Sequence, residues 1–262
     1  MTKTPQDWLT LLHELADVAD DIGLHYFKKA QSMTLGVDEK ENRTPVSEGD
    51  LAIEKEVRQI LDTKVPGLAV LGEEFGSCDE NERVKLIIDP IDATSNFIRG
   101  IPFFASLLAI EVDKKIVAGV VSSPAKNDRW WASLGGGSFH NEQKLSVTMI
   151  SELENAQAFH GGLYGNEARG NLDQLMNLLS KTRRQRGIGD YLIHVLVAMG
   201  CGEFALDFGL APWDLAPLGI LVEESGGKVT HVDGSEFSPY GGSILTSNGV
   251  IHQKVVEGYQ GP

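Results

Sequence analysis

Two aspartates follow an apolar run in the first half of the sequence. In LIIDPIDATSNFIRG (residues 86–100), Asp89 and Asp92 stand three residues apart after what reads as a buried strand. Carboxylates in such a place repel each other and lose solvation unless something compensates their charge. Pro90 fixes the backbone between the two acids. What compensates the pair must come from elsewhere in the sequence.

Acids stand at the ends of two further predicted elements. Glu73 and Glu74 in LGEEFG follow the preceding strand, and Asp214 in PWDLAPLG stands where a helix begins. Neighbouring strands bring their ends together, so we expect convergence of Glu73, Asp89, Asp92 and Asp214. Carboxylates without a nearby His or Cys suit a hard cation such as Mg²⁺, and the carbonyl of Ile91 offers another oxygen. The alternative is that each acid only caps a helix or lies in a solvated loop.

The residues behind the aspartates suit an anion. DATSN (92–96) can open a helix, whose first backbone N–H groups and dipole favour a phosphate. Metal and phosphate would then share one corner of the molecule.

Composition fits a globular protein. The chain has 262 residues, 42% of them hydrophobic, which is enough for one large domain or two small ones. Its 37 acids against 23 bases give a formal charge of −14, which argues against a nucleic-acid partner and suits cation binding. Cys78 and Cys201 are too few for a disulfide framework or a zinc site, and both are predicted to be reduced packing thiols.

The N-terminus carries acids throughout its apolar pattern, unlike a signal or transit peptide. No uncharged apolar run of about 18 residues is present, so we expect no membrane span and, by default, a cytoplasmic protein.

Helices must position the first of these residues. Apolar residues recur at helical spacing from Asp7 to Ala30, and a second helix is predicted to begin near Ser47 or Asp50 and to stop at Pro66-Gly67. Further helices are predicted at 171–179, 190–199, 213–224 and 250–259.

Strands are predicted between these helices. The runs are LAVLG, VKLIID, FFASLLAIEV, KKIVAGVVSSP, DRWWASLGGGSF, KVTHV and SILTSN, with a hairpin turn at Asp113-Lys114. The two tryptophans in DRWWAS alternate across their strand, so one is expected inside and the other at the surface or against a subunit.

The chain resembles the inositol monophosphatase family of metal-dependent phosphomonoesterases. GEE (72–74), DPIDATSNF (89–97) and WDLAPLGILVEESGG (213–227) carry the resemblance, with PVSEGDLAIEKEV upstream. It implies a layered α/β sandwich of alternating helices and mostly antiparallel or mixed sheets. It also implies one domain with halves of about 1–145 and 146–262, two or three Mg²⁺ ions, inhibition by lithium and a homodimer.

The resemblance also implies roles for residues. The metal ligands would be Glu73, Asp89, Asp92, Asp214 and the carbonyl of Ile91. Asp50 and Thr94 would orient or deprotonate the attacking water, with Glu73 beside them in the catalytic group, and no covalent phosphoenzyme is required. The phosphate would lie on the backbone of Ala93, Thr94 and Ser95. The family usually has glycine where Ala93 stands; a methyl group crowds the loop if φ is positive, whereas an ordinary helical first turn accepts alanine.

Within the family, VLGEEFG, GVVSSPAKNDRWWASLGGGSF and PYGGSILTSNGVIH resemble the branch of bacterial histidinol-phosphate phosphatases. Asp190 in GIGDYLIH falls where inositol enzymes present small residues, and Asp207 in ALDFG where they bind substrate hydroxyls with an acid. Two carboxylates favour a cationic leaving group such as histidinol, with its amine and imidazole. The alternative for Asp190 is that it only caps the helix beginning at Tyr191.

Other functions remain open at this point. The first is an inositol-1-monophosphatase or a broad sugar-phosphate phosphatase with the same metal site. A phosphatase of adenosine bisphosphates is less favoured, since no aromatic or basic cluster is placed to hold the nucleotide. The second class is a regulatory or RNA-associated binding protein that kept the fold, against which the four acids and the strong acidity argue.

Overall fold

Residues 3–39, 45–76, 82–163 and 165–261 are described by the structure, which is a computed structural model. Their contacts divide the chain into two units, Met1–Leu134 and Gly135–Pro262. That the two work as a single domain stays a prediction.

Two capped helices pack in the first unit. Helix α1 (Pro5–Gln31) begins with a capping box of Thr4 and Asp7, and α2 (Glu48–Lys64) begins with one of Ser47 and Asp50. Both predicted helices are therefore confirmed. Between them, β1 (Val37–Glu39) and β2 (Pro45–Ser47) pair antiparallel.

The sheet of the first unit carries the acidic motifs. Its strands are β3 (Ala69–Gly72), β4 (Val84–Asp92), β5 (Ala105–Val112), β6 (Lys115–Ser123) and β7 (Asp128–Ser133), side by side in that order. The first two strands are parallel and the others antiparallel. The predicted hairpin is confirmed, since Asp113 and Lys114 both have positive φ between β5 and β6. A short helix, α3 (Thr94–Phe97), follows β4.

The core of this unit lies between the helices and one face of the sheet. Leu12 and Leu15 of α1, Ile53 and Val57 of α2 and Ile88 of β4 are all fully buried there. The tryptophan prediction holds for the side chains: Trp130 is 3% exposed, whereas Trp131 is half-buried and meets His13 edge to face.

The second unit has its own five-stranded sheet. Strands β8 (Gly137–His140) and β9 (Gln143–Lys144) precede it, and the sheet is made of β10 (Gln157–His160), β11 (Arg184–Gly187), β12 (Phe204–Phe208), β13 (Lys228–Thr230) and β14 (Ser243–Ser247). The order is β11-β10-β12-β14-β13, with β10 parallel to both neighbours and β14 antiparallel to its own. The helices are α4 (Gly165–Gly170), α5 (Leu172–Ser180), α6 (Asp190–Ala198), α7 (Pro212–Glu224) and α8 (His252–Gln260).

Two predictions are wrong in detail. DRWWASLGGGSF is two strands, because Gly135 and Gly137 take positive φ and turn the chain between β7 and β8. Cys201 is a free thiol but not a packing residue, since it lies exposed in the bend after α6. Cys78 lies outside the described residues. No helix in the described ranges combines the length and the apolar character needed to cross a bilayer.

Candidate active site

The parallel pair β3 and β4 places two of the predicted acids side by side. Gly72 is in register with Ile88, so the next residues along the two strands are Glu73 and Asp89. The Glu73 N–H donates to the Ile88 carbonyl at 3.3 Å. The carboxyl ends of the two strands meet, as expected of parallel strands. Asp89 is 2% exposed there and Glu73 is half-buried.

The sequence predicts that β4 ends at its first acid. In the structure, β4 continues to Asp92. Asp89 pairs with Leu107 and Asp92 with Ala105, so β4 carries one extra residue, a β-bulge, at Pro90-Ile91.

Hydrogen bonds hold the chain at this bulge. Pro90 has no N–H to donate to the ladder, and its carbonyl accepts a hydrogen bond from the Ser106 hydroxyl at 2.6 Å. The Asp89 carboxylate accepts the Ile91 N–H at 2.9 Å. The bulge thereby brings carboxylate oxygens of Asp89 and Asp92 within 4.8 Å of each other.

The turn after Asp92 is left-handed. Ala93 has φ 65° and ψ 43° and precedes α3, whose Asn96 and Phe97 N–H groups donate to the Ala93 carbonyl. The positive φ is the condition under which a methyl group was expected to crowd this loop. The predicted helix at DATSN exists, although it has only four residues.

Asp50 is fully buried in the first turn of α2. Its Oδ2 accepts from the Ser47 N–H at 2.8 Å and from the Ser47 hydroxyl at 2.6 Å, whereas its Oδ1 has no hydrogen-bond partner among the described residues. Burial raises the pKa of Asp50 to about 7; the Ser47 hydrogen bonds oppose the rise, and the charges of Glu74 and Glu73 add to it. Glu73 and Glu74, which follow β3, therefore lie close enough to Asp50 at the start of α2 for their charges to raise its pKa.

The family resemblance predicts that Thr94 and Asp50 act together on the attacking water. The Thr94 hydroxyl donates to the Ile91 carbonyl at 3.0 Å, and no hydrogen bond joins it to Asp50 in the described ranges. Ile91 itself is 1% exposed, and its carbonyl faces this hydroxyl.

The donors of the first unit fit Mg²⁺. They are carboxylate and carbonyl oxygens, and one buried oxygen, Asp50 Oδ1, has no hydrogen-bond partner within the described ranges. A hard cation held by oxygen ligands compensates such a set. The residues Asp89 and Asp92 therefore suit a magnesium ion, whereas their sequence alternative, helix capping, does not describe Asp89, which lies within a strand.

The second unit brings together the two predicted substrate acids. Asp207 lies on β12 and is 4% exposed, and its Oδ1 accepts the Phe208 N–H at 2.8 Å. Gly161 lies against the carboxylate, where a Cβ would overlap both oxygens. Gly189 approaches the same glycine, with its Cβ position 3.9 Å from Gly161 Cα, and so delivers Asp190 to this place.

The electrostatics show the same proximity. Burial raises the pKa of Asp207 to about 7, opposed by the Phe208 N–H and reinforced by the charges of Asp190 and Asp214. Burial also raises the pKa of Asp190 to about 6. Two buried or half-buried carboxylates with raised pKa values favour a positively charged ligand.

The helix-cap alternative for Asp190 is wrong. The residue in the capping position before α6 is Gly189, and no described side chain makes a capping hydrogen bond to this helix. Asp190 is the first residue of α6 and has a φ of 55°, which is strained for a residue other than glycine.

Asp214 lies in the first turn of α7, as predicted. Its Oδ2 accepts the Ala211 N–H at 2.8 Å, and Pro212 opens the helix. Its charge acts on Asp207, so the second unit holds three neighbouring acids.

Sequence reasoning missed residues that hold these acids in place. Glu54, Ser106 and Gly161 contact the backbone or side chains of the site. Glu54 had a signal: it falls on the apolar stripe of α2 beside Ile53 and Val57, four residues before Arg58. An acid on a buried stripe needs partners, which points to a structural or positioning task.

Comparison with known proteins agrees with these observations. The model of the inositol monophosphatase family matches residues 5–260. A histidinol-phosphatase of Mycobacterium tuberculosis is 40% identical over 255 residues, covering 95% of this chain and 96% of that protein. A histidinol-phosphatase of Streptomyces coelicolor is 37% identical and covers 95% and 96%.

A solved structure has the same fold. The extragenic suppressor protein suhB from Bartonella henselae superposes with a TM-score of 0.87 at 28% identity, covering 96% of this chain and 97% of that one. The predicted fold class, with its mixed sheets and helices, is confirmed. The chain belongs to the inositol monophosphatase family and is a phosphatase.

Proposed function

We propose that this protein is a Mg²⁺-dependent phosphomonoesterase that converts L-histidinol phosphate and water into L-histidinol and phosphate. The observation that carries the choice of substrate is the pair Asp190 and Asp207, two buried or half-buried acids whose charges act on each other. The names of its relatives from M. tuberculosis and S. coelicolor support the same substrate.

The residues proposed to hold the metal extend the pair in β4. They are Glu73, Asp89, Asp92, Asp214 and the carbonyl of Ile91, for two or three Mg²⁺ ions. The family resemblance supports the roles of Glu73 and Asp214, and the oxygen-only donor set supports Asp89 and Asp92. When bound, Mg²⁺ lowers the pKa of water and stabilises the charge of the leaving oxygen.

The protein's own residues bind and orient the reactants. The backbone N–H groups of Ala93, Thr94 and Ser95 are proposed to receive phosphate oxygens. Asp50 Oδ1, which meets no hydrogen-bond donor among the residues that the structure describes, accepts a proton of the attacking water, while Thr94 and Glu73 orient that water. The water oxygen then bonds to phosphorus as the P–O bond to the alcohol breaks, and the alcohol oxygen takes up a proton from solvent.

The substrate acids act on the alcohol side. Histidinol carries a primary amine and an imidazole, both of which can be cationic. Deprotonated Asp190 and Asp207 pair with these cationic groups, which offset the cost of burying the two carboxylate charges.

Replacement of Asp190 by Asn tests this pairing. We expect Asp190→Asn to lower kcat/KM for histidinol phosphate by about 10- to 100-fold. The value for inositol 1-phosphate, whose alcohol part is a neutral polyol, should change by less than about threefold. Asp173→Asn, an exposed acid on α5, is the matched control and should change neither value. Equal losses on both substrates would contradict the proposed recognition of a cation.

A second candidate keeps the site and changes the substrate. An inositol-1-monophosphatase of Mesorhizobium japonicum is 32% identical and covers 83% of this chain. Higher turnover of inositol 1-phosphate than of histidinol phosphate would favour this function or a broad sugar-phosphate phosphatase.

A binding role is favoured by one observation only, the strained backbone at Ala93 in the proposed phosphate loop. Asp92→Asn separates this role from catalysis: an enzyme loses hydrolysis with its fold intact, whereas a regulatory protein keeps its cellular function.

We also propose a homodimer, inhibition by lithium and a cytoplasmic location. The family resemblance supports the first two. The exposed free thiol of Cys201 suits a reducing compartment.

A further inference from the structure

Glu54 is a buried acid that no part of the proposed chemistry uses. Its side chain is fully buried on α2, where an ionised carboxylate needs several donors. Two of the donors are backbone N–H groups of the turn that follows β3: Glu74 N donates to Oε2 at 2.8 Å and Phe75 N to Oε1 at 3.3 Å.

Arg58 supplies the other donors. Its Nε and Nη2 donate to Glu54 Oε1 at 2.9 and 2.6 Å, and Nη2 also reaches the Gly76 carbonyl at 3.4 Å. Glu54 therefore accepts hydrogen bonds from two N–H groups of the 73–76 turn, and Arg58 donates one to its last carbonyl. Two donors of one guanidinium group fix the position of Oε1 and neutralise the charge of the carboxylate.

Gly72 makes this approach possible. A Cβ at position 72 would overlap the Glu54 carboxylate, and Gly72 does not have positive φ. The glycine is therefore required by the close approach of Glu54 and not by the backbone conformation. The next residue along the chain is Glu73.

We propose that Glu54, held by Arg58, is a positioning residue that fixes the 73–76 turn so that Glu73 presents its carboxylate to Mg²⁺. This inference rests on the proposed function. A ligand on a turn is mobile unless hydrogen bonds hold its backbone, and groups that support metal ligands typically contribute about 10- to 100-fold in metal affinity.

Two variants disturb the contact in different ways. In Glu54→Gln, the amide has one acceptor oxygen where the carboxylate has two, so its NH₂ must face Arg58 or a turn N–H. In Gly72→Ala, all charges stay and the new methyl displaces the carboxylate. Glu56→Gln is the matched control, since it removes the same charge from an exposed position on the same helix.

The experiment measures Mg²⁺ binding to the full chain by isothermal titration calorimetry without substrate, together with the Mg²⁺ concentration for half-maximal phosphatase activity. We expect both variants to weaken binding and raise that concentration by about 10-fold or more, with thermal melts that remain cooperative. Glu56→Gln should stay within about twofold of the unchanged protein.

The outcomes separate this inference from the proposed function. Unchanged Mg²⁺ affinity in either folded variant overturns the positioning role alone. Failure of both variants to fold also overturns it, because the pair then serves stability. No Mg²⁺ binding or Mg²⁺-dependent hydrolysis by the unchanged protein overturns the proposed function, and the inference with it.

Discussion

Ala93 shows how a single methyl group alters the proposed phosphate loop. A left-handed conformation costs an alanine roughly 1–2 kcal/mol relative to a right-handed one, and glycine avoids most of this cost. The sequence left two possibilities, a strained turn or an ordinary helical start, and the φ of 65° decides for strain. Local strain of this kind persists only where the neighbouring structure holds it.

Replacement of Ala93 by Gly should relieve this strain. We expect Ala93→Gly to raise the free energy of unfolding by up to about 1 kcal/mol, since the greater entropy of unfolded glycine offsets part of the gain. Urea unfolding measures the difference. Ala52→Gly, within α2, is the control and should lower stability by about 0.5–1 kcal/mol. A loss of stability in Ala93→Gly would contradict the strain.

Asp207 is the second residue with a measurable consequence. Its pKa is raised from 3.8 to about 7, chiefly by burial, with Asp190 and Asp214 as the neighbouring acids that add to the rise. The folded protein therefore holds this proton more tightly than the unfolded chain does. The stability contributed by the protonated form is fully present below about pH 4 and is lost as pH rises towards 7.

In Asp207→Asn the side chain is neutral at every pH tested, because an amide does not ionise. We expect it to be as stable as the unchanged protein near pH 4 and more stable at pH 8, by up to about 4 kcal/mol in the absence of divalent cations. Urea unfolding in EDTA at a series of pH values measures this. If the free energies of unfolding of the two proteins change with pH in the same way, the pKa of Asp207 is not raised and the prediction is wrong.

At the scale of elements, the bulge between β4 and β5 decides where the metal-binding acids lie. In a regular strand, residues three apart such as Asp89 and Asp92 would point to opposite faces, and the bulge corrects this alternation. Pro90 has no N–H to donate to the ladder, and its carbonyl accepts a hydrogen bond from the buried Ser106 hydroxyl. The β-bulge thereby brings the Asp89 and Asp92 carboxylates close together.

Loss of the Ser106 hydroxyl should weaken this arrangement. We expect Ser106→Ala to lower the free energy of unfolding by about 1–3 kcal/mol, because the Pro90 carbonyl keeps its burial and loses its donor. It should also raise the Mg²⁺ concentration needed for half-maximal activity. Chemical unfolding and a Mg²⁺ titration measure the two effects.

A buried serine without a partner provides the comparison. Ser138 Oγ has no hydrogen-bond partner in the described part of the chain, so Ser138→Ala should leave stability equal or higher. If Ser106→Ala behaves like Ser138→Ala, the contact with Pro90 does not hold the bulge.

At the scale of the whole molecule, the predicted elements are those with strong local signals. The capped helices α1 and α2 and the Asp113-Lys114 hairpin follow from residues adjacent in sequence. Strands β10, β11 and β12 were missed as elements, because QAFH, RQRG and FALDF are short and their parallel partners lie far away in sequence.

The site was predicted unevenly for the same reason. Glu73 beside Asp89 follows from parallel strands, whereas the continuation of β4 to Asp92 depends on Ser106 of another strand. The proximity of Asp190 and Asp207 depends on two glycines approaching each other, which no local pattern shows. The roles of the site residues stay predictions.

Phosphate release from L-histidinol phosphate and inositol 1-phosphate, each with Mg²⁺ and with EDTA, shows directly whether the protein is a Mg²⁺-dependent histidinol-phosphate phosphatase. We expect kcat/KM to favour histidinol phosphate by about 100-fold, which corresponds to about 2.7 kcal/mol, and EDTA to abolish both reactions. Equal rates on the two substrates would contradict the proposed specificity. No release from either substrate with Mg²⁺ present would contradict the phosphatase mechanism itself.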